Sequence, residues 1–499
     1  MNDKCNSNRL CRPYGVKWKN SNLPDKVPVI GLGCSSFSTF FMKETDTQTD
    51  SVDYGKQHLE CSQENAHLIP SNNHKVQEWI ATIVYAIENG ITLLDTAPWY
   101  GHGSSEVVIG YAMRQLLVDA AIDKESDQRE EIHSDNMSIE QNTQHVNNSF
   151  KRIQRKELII NTKVGRYDAS PRLQFDFSYD MTLKSAKRSV SRMNCGYIDV
   201  LQLHDPEFAP SMDLLFEETL PALLECKRLG YAKAIGLTGY PLETQHTIFQ
   251  RAVRSDSPGI ADLFDQSLTY GHFNLHNQDL FTKPFKGEII QEDVNADADT
   301  KISLIKYCHS RSIATMAAAP LSMGLLTHQP PPEWHPANQE LKDACCKAAI
   351  IAHEHCVDLP TLAVLFAIAQ EDIGCTLLGM GSIKEVDAAI NAMRRIETIH
   401  DDAKGIKSDD SATHVPGIGH NLRRKIFSKL APFLTESEHT VLKVLISDNN
   451  TDANRNGPFA NIWKREEYNW DGLREANNFW SNIPGGKTEA EARMRVRTL

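Results

Sequence analysis

Four side chains of four chemical kinds stand where short apolar runs give out. The run "ITLLDT" stops at Asp95, and Tyr100 follows five residues later in a turn rich in Gly, Pro and Ser. "ELIINTKVG" carries Lys163, and "IDVLQLHD" carries His204. Taken singly, each has an ordinary reading: a helix cap, a solvated lysine at a strand edge, a histidine satisfied by a neighbouring hydrogen bond. Taken together they make a proton-transfer device. A phenol has a pKa of about 10, too high for a base at neutral pH. A nearby ammonium stabilises the phenolate and lowers that value, a part that Lys163 can play. Lys163 would be partly desolvated and needs a counter-charge, which Asp95 can supply. His204 can donate a hydrogen bond to a substrate oxygen and orient it. Tyr100 then gives that oxygen a proton, or takes one, while hydride moves to or from the adjoining carbon. The hydride itself requires a nicotinamide cofactor.

Such a device needs a scaffold that gathers three strand ends. Eight apolar runs recur along the chain: "VPVIGLG", "ITLLDT", "ELIINTKVG", "IDVLQLHD", "AKAIGLTG", "ADLFDQSLTY", "SIATMAAAP" and "GCTLLGMG". Their continuous rather than alternating apolar character suits strands buried on both faces of a parallel sheet. Between them lie segments of helical period, several closing on glycine, such as "VQEWIATIVYAIENG". Eight alternations predict an α/β fold of the (β/α)8 TIM-barrel class, in which catalytic groups come from the C-terminal ends of strands. An open doubly wound sheet would more often carry six or so strands, and no G-x-G-x-x-G opens a helix after the first run. The barrel is expected over residues 27–395, after a polar segment 1–26. Polar insertions are expected at about 43–73 and 119–149, and a partly helical, aromatic-rich extension at 396–499. Trp463, Trp470, Phe479 and Trp480 in that extension are read as docking the tail on the barrel, with a partner interface or an active-site cover as alternatives.

The chain has 499 residues and a formal net charge of −12, which argues against nucleic acid or an anionic membrane as a partner. No run of 18 apolar residues marks a membrane span, and the N-terminus lacks the apolar core of a signal peptide. The 11 cysteines are scattered, without the spacing of a zinc site, so no metal is expected and reduced thiols in the cytoplasm are the simple reading. A small molecule is the expected partner; the oligomeric state stays open.

The block "DTAPWYGHGSSEVVIG" resembles the D-x-A-x-x-Y-G-x-x-x-x-E-x-x-x-G signature of the aldo-keto reductase family. "NTKVG" looks like that family's lysine strand and "IDVLQLHDPE" like its histidine strand. The resemblance implies that Asp95, Tyr100, Lys163 and His204 form the catalytic tetrad. "HDPEF", "GLTGYPL", "LTYGHFNLHN" and "APLSMGLLTHQPPPEWHPANQELK" look like the L-galactose dehydrogenase branch, which oxidises C1 of a ring-form aldose to the aldonolactone with NAD. L-galactose, L-fucose and D-arabinose are the sugars this implies. Cofactor contacts are then expected from Gly33, Thr238, Gly239, Pro320, Leu321, Ser322, Gly324, Gly379, Gly381, Ser382 and Glu385. Thr238-Gly239 departs from the usual Ser-Asn, Leu268 from the usual Gln, and Ala318 from the usual nicotinamide-stacking aromatic. Gly379 and Glu385 fall where members using NADP commonly carry Lys and Arg. A carboxylate there repels a 2′-phosphate, so NAD is expected over NADP. Gly381 and Ser382 open the following helix and could offer N–H groups to a phosphate. Trp99, His102, Tyr167, His272 and Trp334 are candidate pocket walls, each of which packing could equally explain. Two other readings stay open: a general aldehyde or ketone reductase using NADPH, and a non-catalytic, cofactor-sensing accessory protein.

Overall fold

The computed structural model describes residues 11–13, 23, 26–38, 71–117, 153–286, 301–331, 333, 335–403, 429–446, 457–459, 462 and 472–496. Its centre is a closed barrel of eight parallel strands. They are β1 (Ile30–Gly33), β2 (Leu93–Asp95), β3 (Ile159–Val164), β4 (Ile198–His204), β5 (Ala232–Thr238), β6 (Phe264–Tyr270), β7 (Ala314–Ala318) and β8 (Cys375–Gly379). Each pairs with the next, and β8 closes on β1 through Thr376 opposite Ile30. β3 and β4 are buried along their whole length, as strands covered on both faces are, and that burial includes the polar Asn161, Thr162, Lys163, Asp199, Gln202 and His204.

The first run departs from expectation. It divides at Val29: Lys26–Pro28 pairs antiparallel with Cys11–Pro13, and the barrel strand starts only at Ile30. Pro28 has no N–H for a central ladder, so it fits the small two-stranded hairpin and not the barrel. Leu23 and Val27, just ahead of β1, pack against Leu93, Ile159, Val200 and Ala234 inside the barrel. They close the end where the strands begin and leave the opposite mouth for chemistry.

The helices are α1 (His74–Glu88), α2 (Ser104–Leu116), α3 (Tyr179–Met193), α4 (Leu220–Arg228), α5 (Leu242–Val253), α6 (Leu304–Ser310), α7 (Gln339–Glu354), α8 (Leu359–Ile368) and α9 (Ile383–Ala403). α1 shows how they form. Asn73 caps it by accepting from the N–H groups of Lys75 and Val76. Val76, Trp79, Ile80, Ile83, Val84 and Ile87 recur at helical spacing and are buried, and Gly90 takes the left-handed conformation (φ 92°) just beyond the end. α2 and α3 cross so closely at Gly110 that a Cβ there would lie 2.0 Å from the Arg192 carbonyl oxygen. The last glycine of the signature block is therefore a packing requirement.

α9 runs through position 395, so the chain leaves the barrel within a helix. Beyond it come α10 (Glu436–Ile446), α11 (Gly472–Ser481) and α12 (Gly486–Met494). Arg395 holds α10 by bonding both carboxylate oxygens of Glu438, at 2.9 and 2.6 Å. Trp480 Nε1 donates to the Phe208 carbonyl at 2.9 Å. Phe479 meets Phe175 and Phe208 edge-on, at 5.1 and 5.6 Å between ring centres. These two aromatics dock the tail on the barrel; Trp463 and Trp470 lie outside the described residues, as do the two insertions apart from a turn at 71–73. Among the described residues no single helix is long and apolar enough to cross a membrane.

Candidate active site

β2, β3 and β4 are consecutive in the barrel, so groups at their ends converge. Lys163 Nζ lies 2.5 Å from Asp95 Oδ1, 2.8 Å from the Thr96 carbonyl and 3.4 Å from Tyr100 Oη. The second carboxylate oxygen of Asp95 accepts from Gln202 Nε2 at 2.8 Å, and Gln202 accepts in turn from Gln266. The Tyr100 and His204 rings meet edge-on at 6.4 Å. Lys163 and Asp95 are almost fully enclosed, with side-chain exposures of 2% and 4%. The structure thus brings together the four residues singled out in the sequence.

Burial decides how these groups ionise. It works against the Lys163 ammonium, but Asp95 and the bonds to Asp95 and Tyr100 hold the lysine above its ordinary pKa. It also pushes the Tyr100 phenol up; Lys163 pulls it back only in part, while Asp95 and Asp205 push it further. The expected lowering of Tyr100 by Lys163 is therefore outweighed, and the phenol rests protonated. His204 is lowered to about 3, chiefly by burial, so its imidazole is neutral and has one donor and one acceptor nitrogen.

The loop from Tyr100 to α2 is more than a connector. Gly101, His102 and Gly103 are all left-handed, with φ of 57°, 53° and 99°. Two of these positions suit glycine; at His102 a non-glycine residue in that region costs about 1–3 kcal/mol. A 3.1 Å contact between His102 Nδ1 and the Tyr167 carbonyl fixes it there. Ser105 Oγ donates to the Cys34 carbonyl and lies 2.9 Å from Thr96 Oγ1. Glu106, which its sequence position suggests is a helix cap, is fully buried. It accepts from Thr162 Oγ1 at 2.7 Å and pairs with Arg192 at 3.0 Å. It thereby fixes β3 one residue from Lys163.

Arg166, just past β3, ties together the loops that follow β2 and β4. Its guanidinium bonds Asp205 Oδ2 at 2.8 Å and lies 4.1 Å above the half-buried Trp99 ring. His102 and His272 are buried, and each contacts a backbone carbonyl, that of Tyr167 or Tyr240. They act as struts between loops, as does buried Tyr167. Trp334 lies outside the described residues.

Of the residues matched to a cofactor, Gly33, Thr238 and Gly239 lie at or just past strand ends at the mouth, and Gly379 at the exposed end of β8. Pro320, Leu321, Ser322 and Gly324 form a loop after β7 in which Ala319, Ser322, Met323 and Gly324 are all left-handed. His276 and His335 hold this loop through the Ser322 hydroxyl and carbonyl, at 2.7 and 3.0 Å. At α9, Glu385 folds back so that its Oε2 accepts from the Gly381 N–H at 2.7 Å and from Ser382 Oγ at 3.1 Å. The Gly381 N–H expected to meet a phosphate is thus occupied by the chain's own carboxylate. Sequence reasoning missed Arg166, Asp205, Glu207 and Glu106, although "HDPEF" contains two of them.

Among the described residues, His204 Nδ1 and Glu207 Oε2, at and just past the end of β4, are two of the buried polar atoms without a hydrogen-bond partner. Buried polar groups are rarely left so, and a ligand with polar substituents, as a nicotinamide is, would supply the missing partners.

A model of the aldo/keto reductase family matches residues 68–260 and 289–408, more than half of the chain. The L-galactose dehydrogenase of Arabidopsis thaliana is 31% identical over 324 residues, which is 64% of this chain and 79% of that protein. The D-arabinose 1-dehydrogenase of Saccharomyces cerevisiae is 30% identical over 310 residues, 62% of this chain and 74% of that protein. An aldo-keto reductase of known structure from Bacillus halodurans aligns with a TM-score of 0.45 at 18% identity, over 85% of this chain and 99% of that one. With the barrel and its strand-end groups in place, the extent of the family match assigns the chain to the aldo/keto reductase family of nicotinamide-dependent oxidoreductases.

Proposed function

We propose that the protein oxidises an aldose at C1 to the aldonolactone with NAD, through Tyr100, Lys163, Asp95 and His204. The observation that carries this reading is the Lys163 ammonium, buried between Asp95 Oδ1 and Tyr100 Oη beside a neutral His204. Similarity to aldose 1-dehydrogenases supports the substrate class.

In lactol oxidation the C1 hydroxyl binds at Tyr100 Oη and His204. The hydroxyl proton passes to Tyr100, and Lys163 stabilises the phenolate that receives it. The electron pair of the C1–H bond leaves as hydride; the oxidised nicotinamide supplies its acceptor. C1 becomes the lactone carbonyl. Trp99 on the Arg166 guanidinium is the proposed wall against which the sugar lies.

Initial rates with L-galactose, L-fucose, D-arabinose and L-gulose, each with NAD and NADP, test the reading. Turnover of at least one sugar with NAD is the expected result. Activity confined to aldehydes with NADPH would replace it by the general reductase. Binding of cofactor without turnover of either class would leave the accessory protein.

Glu385 supports NAD over NADP. Its carboxylate sits at the N-terminus of α9, exposed and already bonded to Gly381 and Ser382. A 2′-phosphate placed there meets like charge and finds the Gly381 N–H and the Ser382 hydroxyl already taken. Glu385→Arg is expected to raise kcat/KM for NADP about tenfold, the equivalent of about 1.4 kcal/mol. No gain with NADP would mean that the ribose lies elsewhere.

A further inference from the structure

Glu207 is a buried carboxyl group just past β4 that makes no ion pair among the described residues. Arg166 is taken by Asp205. Glu207 is buried to 8% exposure. Its Oε1 accepts from the Tyr240 N–H at 3.0 Å, whereas Oε2 has no partner. Oε2 is also pressed against Gly239: a Cβ built there would lie 2.6 Å from it and 3.0 Å from Pro206 Cδ. The carboxyl group therefore fills the space in which a side chain at 239 would begin. Burial and the nearby Asp205 push its pKa up to about 8, so at neutral pH it carries a proton and offers a donor as well as an acceptor. A neutral carboxyl group and an amide are alike in this respect.

The location also matters. Thr238 is paired with His204 across the β4–β5 ladder, and the Asp205 N–H donates to the Thr238 carbonyl at 2.9 Å. Gly239 follows directly. If the substrate oxygen sits on Tyr100 and His204, a nicotinamide bound beside its carbon would meet the end of this ladder. Its carboxamide would then find the Thr238 side chain at the end of β5 and none at 239.

We propose that Glu207 reads the carboxamide of the nicotinamide ring, its Oε2 reaching past Gly239 to a position that the residue after β5 cannot supply. The inference rests on the nicotinamide-dependent reading of the site. It also explains why 239 is glycine: any larger residue would displace the carboxyl group.

The test is binding of NADH and of ADP-ribose, which lacks the nicotinamide, followed by calorimetry. Glu207→Ala is expected to weaken NADH about tenfold and leave ADP-ribose within about twofold. Glu207→Gln keeps the shape and both hydrogen-bonding senses and should retain NADH affinity within about twofold. Gly239→Asn alone should weaken NADH by steric conflict, and Glu207→Ala with Gly239→Asn should recover most of the affinity. Equal losses for NADH and ADP-ribose, or no loss in Glu207→Ala, would overturn the assignment of Glu207 while leaving the proposed activity intact. Failure of the unaltered protein to bind NADH would overturn both.

Discussion

Replacing Tyr100 by Phe is expected to lower kcat for sugar oxidation about a thousandfold, within the range general acid–base catalysis supplies, while NADH affinity changes little. The substitution deletes one oxygen and keeps the ring. The ring's contact with His204 survives, and Lys163 keeps its bonds to Asp95 and the Thr96 carbonyl. What is lost is the atom that exchanges a proton with the substrate. The pH dependence carries the sign. Burial holds the phenol above its ordinary pKa, so the form that accepts a proton is scarce at neutral pH. Oxidation should therefore speed up as pH rises into the alkaline range, and carbonyl reduction, which uses the protonated phenol, should slow down. Steady-state pH profiles of both proteins check this. The Phe variant should lose the alkaline rise together with the rate. More than a few per cent of residual activity would remove Tyr100 as the proton-transfer group. A residual rate that keeps the original slope would assign that slope to another residue.

The barrel was legible because its strands are buried on both faces, which leaves mainly apolar runs, without strict alternation, between turn residues. The exception is instructive. "VPVIGLG" looks like one run, but Pro28 cannot serve a central ladder, and the chain spends its first half on the hairpin that closes the floor. The convergence of Asp95, Lys163 and His204 was legible because strand ends of consecutive strands must be neighbours. Their ionisation was not. The pull of Lys163 on Tyr100 follows from residue types, whereas the stronger opposing push comes from burial, which no spacing reveals. Glu106 shows the same limit: an acid in a first helical turn reads as a cap whether it faces solvent or, as here, is sealed between β3 and α3. Its spacing of four from Gly110 was the available signal, because both lie on the face where α2 meets α3. The fold-back of Glu385 has a sequence signal of its own. Ser382-x-x-Glu385 is a capping-box pattern, and the carboxylate accordingly bends back onto its own helix terminus.

Lys163→Met separates what the buried pair does for the fold from what it does for the reaction. It leaves Asp95 enclosed, with Gln202 as its remaining donor among the bonds described. An uncompensated buried charge of this kind costs about 3–5 kcal/mol, which urea unfolding would register as a lower midpoint. Activity should fall at least a thousandfold as well, because a phenolate with no ammonium beside it lies further out of reach. Asp95→Leu combined with Lys163→Met removes both charges and fills the space with apolar groups. Such replacements of a buried ion pair are often neutral for stability, so most of the lost stability should return. The activity should not return, since Tyr100 is then left in an apolar setting that holds it protonated. If the double variant recovered turnover along with stability, the pair would be a folding device alone. If the single variant lost turnover without any loss of stability, Asp95 would have found another partner or a proton, and the charge balance derived for the site would be wrong.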